Sequence, residues 1–200
     1  MLALDAQTVF ETATNGAVVL ERLMRTDSIN SRSFEQVSAV HVTRVFPQPN
    51  REFVIQYALT EPGIAGNGRR NRIMWGRLFR TQDQTNEYSR TNPDQIMVVD
   101  GLPLAIPVFP FDPALPLLST VSDAKKWTDS LRNQLARFDV SQPTPLLAGV
   151  DVLAYRLERR AVLKLALTDS NERGRMIAVI VKVVPPRKAH RFERRLTELQ

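Results

Sequence analysis

Three β-branched, apolar runs close together near the C-terminal end constrain this chain most. Val150–Tyr155 and Ala161–Leu167 flank the basic turn Arg156-Leu157-Glu158-Arg159-Arg160. The polar loop Thr168–Gly174 then leads to Met176–Val184. Short runs rich in Val, Ile and Leu and bounded by polar loops predict strands. The order is strand, turn, strand, loop, strand. Pro185-Pro186 closes the third run, and Arg187–Gln200 carries a helical pattern.

One charge, Lys182, interrupts the third run. A lysine inside a β-branched strand must escape to solvent or meet an anion. The candidate carboxylates are Glu198 and Glu193, in the helical segment after Pro186. With Ile180-Val181-Lys182 on its third strand, the arrangement resembles the N-terminal lobe of the kinase-like phosphotransferases, the aminoglycoside phosphotransferase superfamily. Phe109-Pro-Phe-Asp-Pro-Ala-Leu-Pro-Leu117 is similar to an FPxDxxLP stretch in bacterial members. The resemblance implies that Lys182 holds nucleotide phosphates and pairs with Glu198 or Glu193. It implies ATP and Mg as cofactors and a C-terminal lobe as partner. Arg159 or Arg160 would contact phosphate at the turn where protein kinases place a glycine-rich loop, although this turn has no glycine. The plain alternatives are a charged hairpin at Arg159 and Arg160, and solvated helix residues at Glu193 and Glu198.

Catalysis is not expected of this chain. Phosphoryl transfer needs metal-binding carboxylates and a group that orients the nucleophile. No His-x-Asp loop and no Asp-Phe-Gly come after the lysine strand; His190-Arg191 is followed by Phe192. Asp112 and Asp139 precede that strand, on the wrong side of the family's order. We therefore expect no catalytic residue and no metal ligand here, and no tight ATP binding without the missing lobe.

Composition narrows the partners. The formal net charge is +6, which favours anionic ligands such as ATP or nucleic acid. The basic residues lack the aromatic interleaving of an RRM-type surface, so nucleic acid is the alternative reading, beside a protein-interaction module that could dimerise through its sheet edges. There is no cysteine and only two histidines, His41 and His190. Disulfides and histidine-rich metal sites are thereby excluded, and a cytoplasmic location suits the composition. The apolar stretch Leu102–Leu118 carries five prolines and Asp112, which argues against a membrane span.

Upstream, Asp5–Met24 has a helical stripe weakened at Asn15-Gly16. Ala39–Phe46, Phe53–Leu59 and Ile73–Phe79 read as strands, and Ile96–Val99 as a shorter one. Thr81–Pro93 is polar and reads as an exposed connection. Pro107, Pro110, Pro113 and Pro116 predict extended chain packed on a sheet. Ser122 would cap a helix to Phe138, with Trp127 in its apolar stripe. The two strand groups also match each other: Arg51–Thr60 lies over Arg159–Thr168, and Ile73–Arg77 over Ala178–Lys182. The expectation is an α+β chain with two three-stranded antiparallel β units and flanking helices. Its divisions are residues 1–120, a helix and linker at 121–145, and the lobe-like unit at 146–200, with all three in one domain as the variant.

Overall fold

The computed structural model describes residues 5–26, 34–62, 69–136, 146–168 and 176–189, the side chains of 51, 69–71 and 131–136 excepted. The fold is α+β, with antiparallel sheets of five and three strands. It divides into two compact units, Met1–Val108 and Phe109–Gln200. The boundary therefore falls before the proline-rich Phe109–Leu117, which the sequence reading assigns to the first unit.

In the first unit, α1 (Ala6–Thr14) and α2 (Gly16–Arg25) are separated at Asn15, whose side chain accepts from Val18 N at 3.4 Å. Three strands come next: β1 (Ala39–Pro47), β2 (Phe53–Pro62) and β3 (Arg69–Leu78). Alternation along β2 sends Ile55, Tyr57 and Leu59 into a core shared with Ala13, Val19 and Leu23 of the helices. Tyr57 is buried among them, and its hydroxyl donates to Ala13 O at 2.8 Å. Burial pushes its phenol far above the ordinary range. Gly16 is needed where α2 meets β1, because a Cβ there would run into the Val40 carbonyl.

Two departures from the sequence reading enlarge this unit. The polar segment after β3 is a helix, α3 (Gln82–Arg90), rather than an exposed connection. Few apolar residues mark it, but Thr81 and Gln84 form a capping box: Gln84 N donates to Thr81 Oγ1 at 3.3 Å, and Thr81 N donates to Gln84 Oε1 at 3.2 Å. The expected short strand, β4 (Ile96–Val98), and an unexpected one, β5 (Leu104–Pro107), join the sheet, giving the order β1-β2-β3-β5-β4 instead of three strands. β5 closes the free side of β3 by pairing Ala105 with Arg77 and Leu104 with Leu78.

The second unit opens with α4 (Leu117–Val121) and α5 (Ala124–Ala136). Of the proline-rich stretch, the part up to Pro107 is extended chain in the sheet as β5, whereas Phe109–Pro116 makes turns and α4 begins after Pro116. Asp123, not Ser122, caps α5, its Oδ1 accepting from Lys126 N at 2.9 Å. The sheet is β6 (Leu146–Arg156), β7 (Arg160–Thr168) and β8 (Met176–Val183), paired in that order. Leu163, Leu165 and Leu167 of β7 pack with Leu115, Leu118, Val121 and Trp127.

Each unit thus contains a helix pair followed by an antiparallel meander, and the pairings correspond residue by residue. Val54, Ile55 and Gln56 face Arg77, Gly76 and Trp75. At the positions aligned by sequence, Val162, Leu163 and Lys164 face Lys182, Val181 and Ile180. Register is set by the residues that must face the core, since a slip of one residue would turn the buried set to solvent.

Gly16→Ala should destabilise the first unit by about 2 kcal/mol or more, because the backbone on both sides of the contact has to give. Denaturant unfolding followed through Trp75 fluorescence, in a Trp127→Phe background, checks this; an unchanged midpoint would contradict the close α2–β1 approach.

Candidate functional site

The meander of the second unit carries three of the expected site residues. β7 alternates strictly: Ala161, Leu163, Leu165 and Leu167 are buried, whereas Arg160 and Lys164 are exposed. Lys182 lies opposite Val162, and Ile180 opposite Lys164. By register, Arg160, Lys164 and Lys182 share the sheet face that turns away from the core. All three are exposed. Lys182 is thus an exposed residue of its strand rather than part of the core. The alternation decides it: Val181 and Val183 flank it on the core side, so residue 182 must face outward.

Asp151 lies opposite Lys164 on this face, and Arg156 opposite Arg160. The face is basic with aliphatic residues between: Val162, Ala178 and Ile180, the last 60% exposed. Arg159 is exposed in the turn, one residue before Arg160. Glu193 and Glu198 lie outside the described residues, as does the helical segment beyond the turn at residues 186–189.

The β6–β7 turn is held from beneath by a residue that the sequence reading places outside any site. Asp112, buried, accepts from Glu158 N at 2.8 Å and from the Tyr155 hydroxyl at 3.0 Å, both through Oδ2. Its Oδ1 accepts from Ala114 N at 2.9 Å. Glu158 takes a left-handed conformation, φ 58°, which presents its N–H to that carboxylate. The Glu158 N–H is thus already engaged by a carboxyl group of the same unit. Burial raises the Asp112 pKa, and its three hydrogen bonds hold it back in part.

The first unit has a different cluster at the position aligned with Lys182. Arg77 contacts Glu52 Oε2 through Nη2 at 2.8 Å and Nε at 3.2 Å. Its guanidinium carbon lies 5.1 Å from the Phe79 ring centroid and 5.5 Å from that of Tyr88. An arginine with a carboxylate on its edge and two rings near its faces serves as a structural clamp. No hydropathy pattern announces this cluster, because Tyr88 reaches it from α3. Its only sequence signal is the basic residue shared with Lys182. His41 is exposed on β1, an edge strand, and Trp75 is in the core.

Among the described residues, no group of three or more His, Asp or Glu could hold a metal ion, and no helix is long and apolar enough to cross a membrane. No protein-family model matches the chain, and neither does any curated protein or solved structure.

Because its folded pKa is raised, Asp112 contributes stability that is present below the unfolded value of 3.8 and is lost as pH rises through the raised value. Asp112→Asn, which stays neutral, should remove this dependence. Relative to the parent, the variant's stability should therefore improve between pH about 3 and pH about 7. Urea midpoints read from Trp127 fluorescence check the sign, and a constant difference across that range would show that Asp112 is ionised to the same extent folded and unfolded.

Proposed function

We propose that this chain is a non-catalytic binding protein whose second unit receives phosphate groups on the open, basic face of its three-stranded sheet. The observation that carries this is the common exposed face of Arg160, Lys164 and Lys182, reached through the β6-β7-β8 register. Exposed cations on a fixed scaffold attract phosphate without the rearrangement a flexible loop would need. The first form of this reading is the N-terminal lobe of a kinase-like phosphotransferase, with nucleotide phosphates at Lys182 and Arg160 and a second lobe completing the pocket. The antiparallel meander, with its lysine on the third strand, supports it. Nucleotide affinity of this chain alone would then be weak, since the other half of the pocket and the carboxylates for Mg belong elsewhere.

A second reading, a sequence-independent nucleic-acid module, draws on a different feature. The cations extend along the face from Arg160 to Lys164 and across to Lys182, a spread that suits a phosphate backbone better than a single triphosphate. The lack of aromatic side chains among them favours backbone contacts over base stacking.

Titrations with ATP·Mg and with a single-stranded oligonucleotide separate the two. Under the lobe reading, Lys182→Ala lowers nucleotide affinity about tenfold, equivalent to about 1.4 kcal/mol, whereas Lys164→Ala matters less. Under the second reading the two substitutions weaken oligonucleotide binding alike, and affinity falls steeply with salt. If neither ligand binds, or if binding survives the double substitution, this face is not the phosphate site.

A further inference from the structure

We propose that the outer edge of β8 is a pairing surface for a second copy of this chain, joining two three-stranded sheets into one of six strands about a two-fold axis. The internal correspondence between the units exposes the difference. In the first unit, β3 is paired on both sides, by β2 and by β5, with β5 meeting it at Arg77 and Leu78. The aligned residues of the second unit are Lys182 and Val183, and among the described residues β8 pairs with β7 alone. Among the described residues, the edge closed in one unit is unpaired in the other.

An open edge with a row of backbone donors and acceptors invites another strand unless something blunts it. β6, the opposite edge, is blunted: its pairing with β7 shifts between Leu147 and Gly149 and again between Val152 and Ala154, and it carries Gly149 and Asp151. β8 has no such register shift. Its register with β7 is unbroken over Met176–Val183, it lacks proline, and its one charge is Lys182. Met176 is 64% exposed and Ile177 43%, an apolar load to leave in water on an isolated edge strand.

The occupant is a second copy because the strand complements itself. Antiparallel pairing centred on Val179 places Ile180 opposite Ala178, Val181 opposite Ile177 and Lys182 opposite Met176 of the other copy. No like charges meet directly, and the contact is isologous, so it closes at two copies. Val179 and Val181 already pack against the core of the second unit. The same register would carry that apolar layer across the axis and cover Ile177.

Sedimentation equilibrium of the full chain, combined with two variants, tests this. The parent should be a dimer in the micromolar range, and Ile180→Lys should weaken it about tenfold or more by setting two lysines diagonally across the axis. The chain has no cysteine, so Val179→Cys should cross-link to a covalent dimer on mild oxidation while Leu153→Cys, on β6, should not. A parent that stays monomeric overturns the proposal, as does a dimer that cross-links through Leu153→Cys and not through Val179→Cys. The cross-linking comparison stands even if Ile180→Lys fails to fold. A monomer that captures a β-strand from a different protein also counts against it.

Discussion

Burial of one face of a middle strand by a helix pair is the interaction on which both units depend. In the first unit Ile55, Tyr57 and Leu59 of β2 meet Ala13, Val19 and Leu23. In the second, Leu163, Leu165 and Leu167 of β7 meet Leu118, Val121 and Trp127. Apolar area removed from water here is the main favourable contribution available to either meander, since three strands with a bare face are marginal alone. The period-two alternation then leaves no choice for the rest: whatever occupies the intervening positions faces the other way.

That rule accounts for the second unit's outer face. Arg160, Lys164 and Lys182 are brought together because each alternates with residues the core requires. Their proximity in space comes from the β7–β8 register. The first unit treats its aligned position differently. Arg77 contacts Glu52 and lies near the rings of Phe79 and of Tyr88, the last supplied by α3, while β5 and β4 extend the sheet beyond β3. One supersecondary arrangement thus yields a closed clamp in one place and an open basic face in the other. In the first unit the chain beyond the third strand forms α3, and then β4 and β5 join the sheet.

The buried Asp112 shows how a turn can be organised from outside itself. The left-handed Glu158 would be a glycine position on backbone grounds alone. Here hydrogen bonds to Asp112 from Glu158 N and the Tyr155 hydroxyl hold the turn in place. Asp112 is far from the turn in sequence, and it sits in a proline-rich stretch whose composition speaks of extended chain. Local patterns could not have linked the two.

Strands β1, β2, β3, β4, β6, β7 and β8, the break at Asn15 and the matched strand groups were legible in the sequence alone, because each is a periodic or punctuated pattern within a few residues. The α3 helix was not, since it is polar throughout and rests on a capping box and a tertiary partner; nor were the short helix after Pro116 and the closure of β3 by β5, which need contacts between distant segments. For the site, the sequence determined that a lone lysine stands in an apolar strand. Only the tertiary structure decided that it faces solvent beside Arg160 and Lys164, because which side of a strand is inside depends on what packs against it.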